Sequence, residues 1–173
     1  MKKSLLTVTL VAFFGVVHAQ IEKGGWLIGP NSNLGFSSTS FDGSGDNVTS
    51  FNIGGKAGYF LIDNLVAGVN VGFSSVKQGD SKSTSTQIGP FARYYVSGIF
   101  FLGASFSAAS SKLDSGIGEA KITYNVLAFE GGYPIWIVDN IAIEPALNYT
   151  MSSGDDIIDR NTFGLNIGFT LYF

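Results

Sequence analysis

Nine residues at the carboxyl end, 165–173 (LNIGFTLYF), alternate without a break. Successive side chains of a strand point to opposite sides. Leu165, Ile167, Phe169, Leu171 and Phe173 therefore share one face, and Asn166, Gly168, Thr170 and Tyr172 share the other. A soluble sheet carries a fully apolar face only where another layer covers it. Here the second face is small and polar, which is the pattern of a strand with lipid on one side and a wet or polar lumen on the other. The last strand is expected to end on Phe173 itself, with nothing after it to form a covering layer.

The amino end carries a different signal. Lys2 and Lys3 open the chain, residues 5–17 are apolar, and Val17-His18-Ala19 ends in a small-residue cleavage site. This pattern predicts a secretory signal peptide over residues 1–19, cleaved between Ala19 and Gln20, followed by one barrel domain over residues 20–173. The apolar run is short of the roughly 20 residues that a bilayer helix needs. The leader is expected to lie outside the fold, as a helix detached from it.

Composition narrows the class further. Two of the ten basic residues lie in the leader, which leaves eight against thirteen acidic groups, a net charge of −5. Nucleic-acid binding needs a basic surface, so no nucleic-acid partner is expected. There is no Cys. A lipid anchor at a mature N-terminal Cys is thereby excluded, and the exported domain must be held by hydrogen bonds rather than disulfides. Phe and Gly are abundant, at 15 and 23, yet beyond the leader no stretch approaches 18 consecutive apolar residues. The apolar character is spread in alternation, as membrane strands require and membrane helices do not.

Using the last strand as template predicts an all-β, eight-stranded antiparallel up-and-down barrel. Its first seven strands are expected near 24–38, 49–60, 65–76, 84–96, 100–109, 120–134 and from 141. Pro30 marks a bulge in the first, and Trp26 is expected in an aromatic girdle at the periplasmic interface. Long polar connections at 39–48, 77–83, 110–119 and 152–160 alternate with short ones at 61–64, 97–99 and 137–140. Residues 61–65 (LIDNL) and 137–141 (IVDNI) are near copies. Both predict a periplasmic turn in which Asp63-Asn64 and Asp139-Asn140 supply local hydrogen bonds and backbone freedom. An even strand number would bring both ends of the mature chain to the periplasmic side.

The chain resembles the small eight-stranded outer-membrane β-barrels, the group that includes the OmpA transmembrane domain, OmpX and OmpW. Residues 58–64 (GYFLIDN) and 89–95 (GPFARYY) look like recurrent phrases of that superfamily. Asn166, Gly168, Leu171 and Phe173 fill the four places of a pattern similar to its C-terminal assembly signal. The resemblance implies a gram-negative outer-membrane location, outer-membrane lipid and lipopolysaccharide as surroundings, and the barrel assembly machinery as a partner during biogenesis. It also implies a monomer. It carries no chemistry, and no cofactor is expected.

The candidate sites divide accordingly. The only His, His18, lies in the leader, so the Ser–His mechanism of barrel lipid hydrolases and acyltransferases has no base and no enzyme activity is expected. Residues 42–46 (DGSGD) begin like a calcium loop, but Asn47 and Ile53 stand where Gly and Glu are needed, which favours a solvated loop. Asp155, Asp156 and Asp159 read as a solvating acidic loop, with a shared divalent cation as the alternative. Gly24-x-Trp26 is similar to the lipocalin signature, so a secreted lipocalin-like carrier is a minor alternative. Lys56, Arg93, Glu130 and Glu144 fall mid-strand, where a lipid-facing Lys or Arg costs about 2–4 kcal/mol. They are placed inward, as a lumen cluster that neutralises itself. Glu130 satisfies this only if Leu127 and Phe129 face lipid, which sets the register of the sixth strand. The expected function is a non-enzymatic structural or interaction role through the extracellular loops. An OmpW-type conduit for small hydrophobic molecules is the alternative.

Overall fold

The computed structural model describes residues 21–30, 35–39, 47–116, 118–155 and 157–173. The leader with Ala19 and Gln20, the acidic segment 42–46 and Asp156 lie outside the described residues. Among the described residues ten strands follow in order: β1 (Trp26–Pro30), β2 (Gly35–Thr39), β3 (Val48–Ile62), β4 (Leu65–Gln78), β5 (Ser81–Val96), β6 (Phe100–Asp114), β7 (Glu119–Gly132), β8 (Ile135–Val138), β9 (Ile141–Ser153) and β10 (Arg160–Tyr172). They build eight staves, because β1 and β2 are two parts of the first and β7 and β8 two parts of the sixth.

Every pairing is antiparallel between chain neighbours, and β1 closes the ring by pairing with both β10 and β3. The closing ladder is short: Leu27 faces Tyr172 and Ile28 faces Leu171. Trp26 and Phe173 extend it by exchanging backbone bonds, the Trp26 N–H donating to the Phe173 carbonyl at 2.8 Å and the Phe173 N–H donating back at 2.9 Å. β1 ends on Pro30, which has no N–H for the ladder, and β2 begins at Gly35. Across it, the pairing with β3 shifts by two residues, from Pro30 opposite Gly55 to Gly35 opposite Asn52.

The side-chain parity follows the alternation. On β10, Phe163, Leu165, Ile167 and Phe169 are exposed, while Thr170 and Tyr172 are buried inside. On β5, Ile88 and Tyr94 are exposed, and Phe91, Arg93 and Tyr95 are buried. On β7, Phe129 is exposed and Val126 buried, which turns Glu130 inward. The result is an outer belt of apolar side chains. Trp26 belongs to it, half exposed and packed edge-on against Tyr59 with ring centroids 5.3 Å apart. Ile167→Lys should therefore abolish stable insertion or lower stability by about 2–4 kcal/mol. Asn166→Lys, one residue away but facing the lumen, should be tolerated. Urea titration of the two variants in vesicles would show it, and equal losses would contradict the parity.

Strand ends depart from expectation. Residues 77–83 are not a long loop, because Gln78 pairs with Ser81 around a two-residue turn, Gly79-Asp80, in which Gly79 has φ +55°. Asp114 pairs with Glu119, so most of 110–119 is strand. Thr39 pairs with Val48, both assigned to a loop from sequence. The expected strict alternation of long and short connections therefore fails. Side-chain hydropathy marks the extent of the apolar belt, whereas the hydrogen-bonded ladder continues past it. The sixth stave also breaks earlier than expected, at Tyr133-Pro134, and resumes as β8 up to Val138.

The two near-copy hairpins share a two-residue turn and a bulge at the same place, between Phe60 and Ile62 in one and between Trp136 and Val138 in the other. Their backbones differ, however. Asn64 is left-handed at φ 67°, and Asn140 is not among the left-handed residues. The Asn64 N–H donates to the Ile21 carbonyl at 2.8 Å, and the Lys23 N–H donates to Asp63 Oδ1 at 2.9 Å. The chain on the N-terminal side of β1 is thus tied to the turn end of the barrel, where Phe173 also lies.

Candidate functional site

Four inward positions on four different staves supply charge to one level of the lumen: Lys56 on β3, Arg93 on β5, Glu130 on β7 and Glu144 on β9. The structure brings all four together. Lys56 Nζ lies 3.2 Å from both Glu130 oxygens. Arg93 donates to Glu130 Oε1 through Nε at 2.9 Å and to Glu144 Oε2 through Nη1 at 2.7 Å, and its Nη2 lies 2.8 Å from Glu130 Oε1. Arg93 is 1 % exposed and Glu144 3 %. Arg93 is therefore the hub: its planar fork reaches both carboxylates, which a point charge could not do from one place.

Hydroxyl groups complete the network. Arg93 Nη1 also donates to the Tyr95 hydroxyl at 3.1 Å, and Tyr95 and Tyr172 hydroxyls meet at 2.8 Å. Tyr172 donates its only hydroxyl hydrogen to Glu144, so Tyr95 must be the donor to Tyr172. The path Arg93–Tyr95–Tyr172–Glu144–Arg93 closes on itself. Thr170 adds a further bond to Glu144 Oε2 at 2.9 Å. Sequence parity had put Tyr95, Thr170 and Tyr172 on the inward face without assigning them to the site. The signal was available: a Tyr on the lumen parity has a hydroxyl that needs a partner when buried.

Aromatic packing closes the space toward the tight turns. Leu27, Phe60, Val66, Tyr95, Phe101 and Tyr172 are all fully buried there. Arg93 stacks on this layer with its guanidinium carbon 3.8 Å from the Phe101 ring centroid, a cation–π geometry. Small residues on facing strands make the room. A Cβ on Gly103 would lie 2.8 Å from Glu130 Cγ, and one on Gly132 would lie 2.5 Å from the Phe101 ring. The charge cluster thus rests on an apolar floor.

On the loop side of the cluster lies a cavity of about 230 Å³, bordered by Lys56, Glu130 and the amides of Asn70, Gln87, Asn148 and Asn166. A further recess of about 480 Å³ lies nearer the loops, against Gln87, Tyr124, Asn125 and Asp155. Among the described residues no group of three or more His, Asp, Glu or Cys is arranged to hold a metal ion. Asp155 and Asp159 form no such group with another described residue, and Asp156 lies outside them. Of the four positions similar to an assembly signal, Asn166 and Gly168 line the lumen cavity, Leu171 sits in the closing ladder and Phe173 ends it.

No protein-family model and no curated protein sequence matches the chain. Solved structures do. Neisserial surface protein A superposes with a TM-score of 0.57 at 18 % identity, covering 86 % of this chain and 94 % of that one. The N-terminal β-barrel domain of Pseudomonas aeruginosa OprF gives 0.52 at 11 % identity, covering 88 % and 98 %. The likeness is one of fold: a closed, eight-stranded antiparallel barrel of the small outer-membrane type.

Proposed function

We propose that this chain is an integral outer-membrane barrel without enzymatic activity, a closed stave-and-plug body that acts through its surface rather than as a channel. The observation that carries this reading is the plug. A chain of paired charges, Lys56–Glu130–Arg93–Glu144, sits on a floor of fully buried, mainly aromatic side chains that closes the 230 Å³ cavity toward the tight turns. Burying four charges is costly, and buried pairs seldom add net stability over apolar packing. Their use here fits a lumen that must be filled by groups that also keep the inward face polar. The outer belt of exposed Phe, Leu, Ile and Val supports the membrane setting, because patches of that size do not stay in water on a monomeric soluble protein. The same belt argues against a lipocalin-like carrier, which keeps its apolar side chains inside around a ligand.

The conduit alternative needs an open path, and the plug is its obstacle. In planar bilayers the purified barrel should show no steady conductance above that of the bare membrane, and membrane fractionation should place it in the outer membrane. A stable open channel in the parent protein would overturn the plug reading in favour of a conduit. Recovery as a soluble periplasmic protein would overturn the membrane reading altogether.

A further inference from the structure

The loop-facing side of the charge cluster differs in kind from the aromatic floor beneath it. Two of its charges each have an amide directly opposite on the neighbouring strand: Asn70 faces Lys56, and Asn148 faces Glu130. Gln87 of β5 and Asn166 of β10 border the same cavity. Much of the hydrogen-bonding capacity of this rim is unspent. Lys56 carries three ammonium hydrogens, and among the described residues it meets only the two oxygens of Glu130, which leaves one. Asn70 Oδ1 accepts from Ser107 at 3.0 Å, but its Nδ2 is buried and has no partner among the described residues. Asn148 donates to the Ala146 carbonyl at 3.2 Å and keeps its own carbonyl oxygen free there. The side-chain amides of Gln87 and Asn166 bond to none of the described residues. Buried polar groups in native proteins nearly always have a partner, so an orphaned donor in such a rim calls for one.

The chemistry of the rim selects the class of partner. Lys56 and Arg93 are balanced by Glu130 and Glu144, so the cluster offers no net charge to a guest. A charged guest in this narrow lumen would pay its desolvation without a counter-charge. Each amide presents a donor and an acceptor side by side, and a hydroxyl group is likewise both. The same cavity has apolar facets, from Phe91, Ala128 and Ala146. The Phe91 ring lies beside the ammonium, its centroid 5.8 Å from Lys56 Nζ. Water gains nothing from such facets, whereas a sugar ring has C–H faces to lay on them. The volume of about 230 Å³ falls below the roughly 300–1,000 Å³ of drug-sized pockets, which limits a guest to a single small ring. Access is from the loop side, where Gln87 borders both this cavity and the larger recess.

We infer that the loop-side cavity is a binding cup for a small neutral polyhydroxylated solute, of the size of a monosaccharide. Asn70, Gln87, Asn148 and Asn166 hold its hydroxyl groups, the spare Lys56 hydrogen meets one of its oxygens, and Phe91 lies against its C–H face. The inference goes beyond the closed-barrel reading and uses that reading only for the floor: the solute enters and leaves on the loop side and is not passed across the barrel.

The test uses the folded barrel in phosphocholine-detergent micelles, which carry no sugar. It is titrated with methyl glucoside, methyl galactoside, methyl mannoside and inositol, and binding is read from the side-chain amide NMR signals. At least one of these probes should shift the signals of Asn70, Gln87, Asn148 and Asn166 saturably and leave that of Asn64, at the turn end, in place. Glucuronate and glucosamine, charged rings of similar size, should bind at least about tenfold more weakly. The double variant Gln87→Ala/Asn166→Ala should weaken binding at least about tenfold, the scale of two lost hydrogen bonds. Neither side chain bonds to another described residue, so this variant should keep the heat-modifiable mobility of the parent. If it fails to fold, Ala128→Leu, which narrows the cavity, replaces it with the same expectation. Lys82→Ala, outside the cavity, should bind like the parent. No saturable shift with any neutral probe would overturn the site, as would unchanged affinity in either cavity variant. Binding of glucuronate or glucosamine as tight as that of the neutral rings would overturn the class of solute. Steady conductance in planar bilayers with the amide shifts intact would refute the closed plug and support the cup, so the two readings fail separately.

Discussion

Arg93→Ala should be the most damaging single substitution inside the barrel, lowering its stability by about 3–5 kcal/mol. Among the described residues the arginine is the one cation in contact with both carboxylates, and its removal leaves Glu144 with hydroxyl partners there. Glu130 keeps Lys56. A charge left unpaired in a closed lumen carries its full desolvation cost. The order of stability should be parent, then Arg93→Lys, then Arg93→Ala, because an ammonium keeps the charge but cannot span the two acids. Adding Glu144→Gln to Arg93→Ala should recover part of the loss, since the amide no longer needs a counter-charge. Urea unfolding in vesicles, followed by tryptophan fluorescence and by heat-dependent gel mobility, measures all four. An Arg93→Ala barrel as stable as the parent would mean that the cluster does not hold the plug together.

Deleting Phe173 should lower the yield of inserted barrel far more than deleting one residue from the Gly79-Asp80 turn. The residue does two things at once. Its backbone exchanges both closing hydrogen bonds with Trp26, next to a ladder in which only Leu27–Tyr172 and Ile28–Leu171 are paired. It also holds the terminal place of the pattern similar to an assembly signal. The two contributions separate in vitro: if closure is what matters, the deletion should also slow folding of purified chain into detergent, where no assembly machinery is present. Heat-modifiable mobility gives the folded fraction in cells and in detergent. Equal yields from both deletions would remove the role assigned to the chain end.

The local alternation determined a great deal by itself. Parity along LNIGFTLYF, along 84–96 and along 141–149 assigned inward and outward faces. The charge cost of facing lipid was enough to put Lys56, Arg93 and Glu144 inside. For Glu130 the same cost selected between two registers of an ambiguous strand, and Phe129 is indeed exposed while Val126 is buried. Parity is a one-strand property, so it is legible in one strand. Three features were not. Strand ends at Gln78, Ser81 and Asp114 depend on ladder hydrogen bonds, which continue beyond the apolar belt where hydropathy no longer reports them. The difference between Asn64 and Asn140 depends on what each turn touches, and Asn64 is held by the Ile21 carbonyl. The closed path through Arg93, Tyr95, Tyr172 and Glu144 joins β5, β9 and β10. No spacing along the chain encodes it, because only closing the sheet into a narrow ring brings the inward faces of three separate strands within hydrogen-bond reach of one another.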